Sequence, residues 1–322
     1  MYSRRDRVAF ALYGSVALAL AFADYAVRGN PTYVVERFIP AVLSGSYEPP
    51  FIYRPLAPWL IQTVTSLCGL NPITGLVLMR FAGLLTAFVT FHVYVRNWYP
   101  SGVALAATLT MAALLPLTFT NSWPVPGTYL ELTLFSLGCL AIARGRDGLF
   151  GVVFIVAAFN RETSAFLGLL WAAVRFRALK RGTWIVRAAA LGAAWMVVFA
   201  GLRWTWGFRP YKFLVLWQNL DYLQMFDSTI EARLRIFGWF WLAILAVPTV
   251  LALRGARMSD APPMARDATG VALVFIATCL VTASIVETRV LVPVFPLLAP
   301  AALHFATTQT GSHLKRPPKH SR

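Results

Sequence analysis

Charged residues are scarce in this chain, and acidic residues are especially few. Only 13% of the 322 residues are charged, and just 13 are Asp or Glu. Soluble domains carry about a quarter charged residues, so this composition excludes an ordinary soluble protein. With 58% apolar and 14% aromatic residues, the chain is predicted to be an all-α, polytopic integral membrane protein that forms a single transmembrane domain over residues 1–322.

Residues that build disulfides and metal sites are few as well. The three cysteines, Cys68, Cys139 and Cys279, lie in or beside apolar runs, so we interpret them as small core hydrophobes and not as a disulfide framework. The four histidines are scattered along the chain, and no metal site follows from them. No cofactor is predicted, and a divalent metal is left open.

Three sequence signals are also missing. There is no glycine-rich loop of the nucleotide-binding type, no evident internal repeat, and no Asn-X-Ser/Thr signal in which X is other than Pro. The missing repeat weighs against an inverted-repeat transporter. The missing glycosylation signal and the preference for Arg over Lys favour a bacterial protein in the cytoplasmic membrane.

Positive charge, in contrast, is abundant, with a net charge of +16. Most of it lies in short joints between apolar runs, where membrane topology and anionic lipid explain it, so membrane lipid is a predicted partner and nucleic acid is not. When the joints alternate between two sides of a bilayer, one side receives most basic residues and the basic tail 307–322. The positive-inside rule makes this side cytoplasmic, and both termini are predicted there. The other side receives Asp24, Glu36, Glu48, Glu131, Glu162, Asp221, Asp227, Glu231 and Glu287.

About ten membrane-embedded helices are predicted from the apolar runs. The runs are 8–27, 72–95, 101–119, 127–143, 148–159, 163–174, 184–203, 234–253, 269–286 and 290–306. The fifth and sixth are too short to cross comfortably and are predicted to form a hairpin with residues 160–163 at its tip.

The first outer loop, residues 28–71, is predicted to hold a helix. Asn30-Pro31 is a typical helix start, and apolar residues recur at helical spacing over 31–43, which indicates an amphipathic helix lying in the membrane interface. The segment 56–70 is short and partly polar. We predict that it does not cross the bilayer, since a crossing here would put most basic residues outside.

Asp24 is the candidate catalytic residue. It lies at the outer end of the first apolar run, where an ionisable side chain is costly and indicates a functional site. A carboxylate at this position could take a proton as a general base, and an Asp24→Asn variant would then keep the fold and lose activity. The alternative is an ordinary helix-end residue at the interface.

Four further residues are candidates for binding a phosphate or another substrate group. Prolines stiffen the chain after Arg54, which favours bidentate phosphate recognition, although snorkelling to the headgroups is the alternative. Arg161 and Glu162 lie at the hairpin tip, where polar groups need a wet cavity or ion-pair partners. Arg289 begins the proline-punctuated last helix. Secondary candidates are Glu36, Glu48, Arg80, Glu131 and Glu287, of which Glu131 and Glu287 are also the expected partners of Arg80.

Three local features resemble the GT-C superfamily of polytopic membrane glycosyltransferases. They are an acidic residue, Asp24, that opens a long outer loop with an interfacial helix, a mid-chain hairpin with Arg161 and Glu162 at its tip, and an arginine, Arg289, before the last helix. Asp24 is followed by Tyr25, whereas a pair of acidic residues is common in the superfamily.

The resemblance implies a fold of the GT-C type and an inverting transfer of a sugar from a polyprenyl-phosphate donor to an acceptor on the outer face. It also implies that Asp24 takes the acceptor proton and that Arg54, Arg161 or Arg289 stabilises the leaving phosphate. We expect Asp24, Arg54, Arg161, Glu162 and Arg289 to line one cavity. The alternative function is a lipid or small-molecule transporter or flippase, in which the same charges line a translocation path, and a non-catalytic scaffold is a third possibility.

Overall fold

The chain is built from helices in every part that the structure describes. The computed structural model describes residues 4–28, 31–116, 126–210, 215–217, 219, 232–283 and 288–310. No residue within these ranges lies in a β-strand, so the all-α prediction is confirmed.

The helices follow the predicted apolar runs closely. In chain order the α-helices are α1 (Arg4–Arg28), α2 (Pro31–Tyr33), α3 (Ile39–Leu43), α4 (Leu56–Cys68), α5 (Pro72–Val95), α6 (Ser101–Leu114), α7 (Gly127–Ala143), α8 (Asp147–Asn160), α9 (Ala165–Phe176), α10 (Arg181–Trp206), α11 (Ala232–Ala256), α12 (Ala265–Thr282) and α13 (Val294–Gln309). A π-helical turn, Val34–Phe38, joins α2 to α3, and 3₁₀ turns occupy Phe51–Tyr53, Glu162–Ser164 and Thr288–Leu291.

Four of the described helices are long and apolar enough to cross a membrane. They are Arg4–Ala26, Pro72–Val95, Arg181–Trp206 and Ala265–Thr282. A membrane protein is the class that such helices indicate, and the total of about ten membrane-embedded helices stays a prediction. Helix α4 has 13 residues and is about 20 Å long, which is shorter than the roughly 30 Å hydrocarbon layer.

Local sequence signals explain several helix ends. The side chain of Asn71 accepts a hydrogen bond from the backbone N–H of Ile73 at 2.9 Å, and Pro72 opens α5, so this helix begins with a capping residue followed by proline. Helix α4 ends at Gly69, whose φ of 60° is left-handed. Glycine takes that conformation without steric cost and therefore terminates the helix.

The chain divides into two compact units. The first unit comprises Met1–Leu12, Phe91–Asn121 and Phe213–Arg322, and the second comprises Tyr13–Thr90 and Ser122–Lys212. Both units are discontinuous in sequence, because each draws its helices from separate stretches of the chain. The single transmembrane domain over residues 1–322 stays a prediction.

In the first unit, a buried aspartate ties together the ends of three helices. Asp6 Oδ1 lies 3.1 Å from His92 Nε2 and 3.4 Å from Arg96 Nε, and it accepts a hydrogen bond from Ser101 Oγ at 2.5 Å.

Helices α11 and α13 pack together in the first unit. A Cβ on Gly255 of α11 would collide with a backbone carbonyl of α13. Glycine therefore permits this close approach.

In the second unit, the predicted helix over 31–43 is present, and its apolar stripe packs on the protein. Val34, Phe38, Ile39 and Val42 are buried in a cluster with Phe51, Ile61 and Leu76. The sequence predicts that this stripe rests in the membrane interface. In the structure, neighbouring turns and helices of the same unit cover these four side chains, and the position of the helix in the membrane interface stays a prediction.

Ion pairs identify two ends of the second unit. At one end, Asp147 at the start of α8 pairs with Arg175 of α9 and Arg187 of α10, at 2.9 and 3.2 Å. At the other end of the same helices, Arg54 pairs with Glu162 and Glu162 faces Arg203. The predicted topology likewise puts the first group of residues on one side and Arg54 with Glu162 on the other. Which side faces the cytoplasm stays a prediction.

Candidate functional site

Asp24 forms a buried ion pair with Arg80. The buried positions of α1 recur every three or four residues, so Asp24 lies on the face that packs inward. Arg80 lies on the buried face of α5, and its Nε is 3.1 Å from Asp24 Oδ2. The Asp24 side chain is 0% exposed and that of Arg80 is 3% exposed. The sequence suggests Glu131 or Glu287 as partners of Arg80. The structure places Asp24 beside Arg80, Glu131 pairs with Arg161, and Glu287 lies outside the described residues.

The hairpin tip is held by a second buried ion pair. Arg161 Nη1 donates to Glu131 Oε2 at 2.6 Å, and the Thr163 hydroxyl donates to the other oxygen of the same carboxylate. Glu131 lies in the second turn of α7 and is 2% exposed. The Asn160 side-chain amide donates to the Gly127 carbonyl at 3.2 Å. The start of α7 therefore fixes the backbone between α8 and α9.

Glu162, the next residue of the tip, lies between two arginines. Arg54 Nε donates to Glu162 Oε2 at 3.1 Å. On the other side, Arg203 Nη2 lies 3.6 Å from Glu162 Oε1, which is close enough for an ion pair but too long for a hydrogen bond. We call Arg54, Glu162 and Arg203 the Glu162 cluster. Its members come from the turn before α4, the hairpin tip and the last turn of α10.

Two aromatic rings enclose the Arg203 guanidinium. Its Cζ lies 3.4 Å from the Phe199 ring centroid and 4.2 Å from that of Tyr53, which is the range of cation–π contacts. The Tyr53 hydroxyl donates to the Gly207 carbonyl at 2.6 Å and accepts from the Arg209 backbone N–H at 3.1 Å. The residue that precedes Arg54 is therefore fixed to the end of α10.

A small cavity opens beside these pairs. It has room for about one water molecule and is partly open to solvent. The lining residues are Phe38, Phe51, Arg54, Ala57, Pro58, Pro126, Gly127, Asn160 and Arg161. A Cβ on Gly127 would lie 2.8 Å from Asn160 Oδ1, so a larger residue there would have to displace the side chain of Asn160.

Arg54 presents unused donors at this cavity. Its Nε bonds to Glu162, and its guanidinium lies 5.6 Å from the Phe51 ring centroid. Neither Nη group makes a hydrogen bond within the part of the chain that the structure describes. The side chain is 15% exposed, and these two nitrogens form the planar fork that matches a phosphate or carboxylate.

The charges of the site favour an anion. The Glu162 cluster carries two positive charges and one negative charge, whereas the Glu131–Arg161 pair is neutral as a whole. The nearby hydroxyl of Tyr47 adds no negative charge at neutral pH. Burial, together with the hydrogen bond to Tyr33, raises the pKa of Tyr47 well above its ordinary value.

The structure brings together three of the five main predicted site residues. Arg54 and Arg161 line one cavity, and Glu162 pairs with Arg54. Asp24 belongs to the same unit but is not among the lining residues. Arg289 is buried in the first unit. Of the secondary candidates, Glu36 and Glu48 are exposed, Arg80 and Glu131 hold the buried pairs, and Glu287 lies outside the described residues.

Sequence reasoning does not identify Arg203 or Tyr53 as part of the site. In the sequence, Arg203 is only the end of the apolar run 184–203. One signal is present, because an arginine at the outer end of a span is unusual on the side that the positive-inside rule leaves poor in basic residues. Tyr53 has no comparable signal, since its role depends on the position of α10.

Comparisons with known proteins give no match: no family model, no curated protein and no solved structure matches this chain. Within the described residues, no group of three or more His, Cys, Asp or Glu side chains is arranged to hold a metal ion.

Proposed function

We propose that the protein is a membrane glycosyltransferase that uses a polyprenyl-phosphate-linked sugar. The observation that carries the proposal is Arg54, whose fork lines a cavity while its Nε is fixed by Glu162. A phosphate is the anionic group that such a fork binds best in two-point geometry. The resemblance to the GT-C superfamily supplies the sugar and the lipid, and the apolar helices around the site suit a lipid donor.

In the proposed reaction, the acceptor hydroxyl displaces the phosphate at the anomeric carbon and inverts its configuration. Negative charge then builds on the leaving phosphate, and Arg54 stabilises it through its two Nη groups. Arg161 lines the same cavity, and Glu131 holds its position. Asn160 borders the cavity and has polar atoms suited to a sugar hydroxyl.

Asp24 is the proposed base, as the resemblance implies. Its buried position means that it can accept a proton only after a rearrangement. Its carboxylate is buried against Arg80, so the acceptor reaches it only when this pair opens. A neutral Asn at this position would also remove the counter-charge of Arg80. A loss of activity in Asp24→Asn therefore counts as catalytic only when the variant is shown to be folded.

The proposed topology has about ten membrane-embedded helices, both termini in the cytoplasm and the site on the outer face. It is supported by the charge distribution of the joints and by the two groups of ion pairs at the ends of the second unit. Reporter fusions test it, and a reporter at residue 180 that lies outside would contradict it.

The function is tested with purified protein in liposomes and labelled polyprenyl-phosphate sugars. We expect sugar transfer by the wild type and a loss of about 10²–10³-fold in Arg54→Met, the effect typical of removing one transition-state donor. Arg54→Lys should also be impaired, because lysine offers a point charge and no fork. The matched control is Arg187→Met, since Arg187 is half exposed at the opposite end of the unit.

Two results would overturn the proposal. One is a wild-type protein that moves the lipid across the bilayer without cleaving its sugar, which is the behaviour of a flippase. The other is full transfer activity in Arg54→Met together with normal folding.

A further inference from the structure

The Glu162 cluster carries one more positive charge than the neutral Arg54–Glu162 pair, and Arg203 supplies it. Arg203 is 6% exposed and lies among Phe199, Tyr53 and Glu162. Its Nη1 donates to the Phe199 carbonyl at 3.2 Å, whereas Nη2 is buried and has no hydrogen bond within the described residues. Burial of a charged guanidinium costs free energy. The two aromatic rings and the shared carboxylate offset only part of this cost.

The sharing of Glu162 has an electrostatic consequence for Arg54. A single carboxylate between two arginines neutralises one positive charge and leaves the other. Without Arg203, Glu162 would neutralise Arg54 alone, and the cluster would have no net charge. With Arg203, one positive charge remains, and Arg54 is the member of the cluster that lines the cavity.

We propose that Arg203 is a positioning residue that sets the anion affinity of Arg54 by sharing Glu162. Arg203 is not among the residues that line the cavity. It also contacts Tyr53, the residue before Arg54, and so holds the backbone from which the fork projects. The inference rests on the proposed function, because it names the phosphate of the lipid donor as the anion whose affinity is set.

The test measures binding of a short polyprenyl phosphate and of the matching uncharged alcohol to the protein in zwitterionic nanodiscs. The ratio of the two affinities reports phosphate recognition and is insensitive to general loosening of the fold. We expect Arg203→Met to lower this ratio roughly tenfold, as one unit charge several ångströms away would do at a partly wet site. Methionine keeps an unbranched apolar side chain between the two rings.

Removal of the shared carboxylate should have the opposite effect. Glu162→Gln keeps the shape, raises the net charge of the cluster and should increase the ratio by a similar factor. The double variant Arg203→Met with Glu162→Gln restores one net positive charge and should return the ratio close to the wild-type value. A purely structural role of Arg203 predicts no such rescue.

Two more variants complete the design. Arg203→Lys keeps the positive charge, so its ratio of phosphate to alcohol affinity should stay close to the wild-type value. If Arg203→Met does not fold, Arg203→Lys and Glu162→Gln are compared with the wild type instead. Arg187→Met removes the same residue type from the same helix at its exposed other end and should leave the ratio unchanged.

The outcomes separate the two proposals. Equal affinity of the wild type for the phosphate and the alcohol overturns both the proposed function and this inference. Preferential phosphate binding that falls in Glu162→Gln, or that is not rescued in the double variant, overturns the role of Arg203 alone.

Discussion

Replacement of Asp24 by Asn should destabilise the second unit strongly, because it removes the counter-charge of a buried arginine. The Asp24 Oδ2–Arg80 Nε distance is 3.1 Å and both side chains are buried. At an effective dielectric constant of about 20, Coulomb attraction at this distance amounts to about 5 kcal/mol. Removal of one partner from a buried pair typically costs about 3–5 kcal/mol, and we expect Asp24→Asn to fall in this range.

Cys139 provides the assay for this prediction. It is buried on α7 in the same unit, whereas Cys68 is exposed and is replaced by Ser to remove its background labelling. A thiol reagent reaches Cys139 only when the unit opens, so its labelling rate follows the opening free energy. A loss of about 3 kcal/mol corresponds to labelling that is faster by roughly a hundredfold. Mass spectrometry of the labelled peptide separates Cys139 from Cys279.

The double variant Asp24→Asn with Arg80→Met removes both charges and should recover most of the lost stability, since paired apolar replacements of buried ion pairs are often nearly neutral. Labelling of Cys139 in Asp24→Asn at the wild-type rate would refute the role of Asp24 as counter-charge. So would a double variant that is less stable than the single one. A stable double variant that still transfers sugar would remove Asp24 from the chemistry.

Three further predictions concern the same unit. Glu131→Gln should cost about 3 kcal/mol in the same labelling assay, because it removes the buried counter-charge of Arg161, and an unchanged rate would contradict this pairing. Gly127→Ala should displace the Asn160 side chain and lower sugar transfer while the helices persist by circular dichroism; full activity would show that the cavity tolerates the methyl group. Asp147→Asn should cost only about 1 kcal/mol or less, since its ion pairs are partly exposed, and a cost as large as that of Glu131→Gln would contradict this value.

The helices could be predicted from the amino-acid sequence, because the signals that start and end them are local. Apolar spacing and caps act within a few residues, as at Asn71 and Pro72, where α5 begins as predicted. Asp24, Arg54, Arg161 and Glu162 also stand out in the sequence, since a charge within or beside apolar sequence is costly wherever the helices pack.

The pairing of the charged side chains, in contrast, depends on how the helices pack and could not be predicted from the sequence. Arg54 and Glu162 are separated by 108 positions, and no local rule links them. Each pairing depends on which helix faces pack together, and that packing is set by side chains from many segments at once. Arg80 accordingly pairs with Asp24, an acid that the sequence does not single out as its partner. Arg203 acquires its place only because the end of α10 meets the turn at Tyr53 and the hairpin tip.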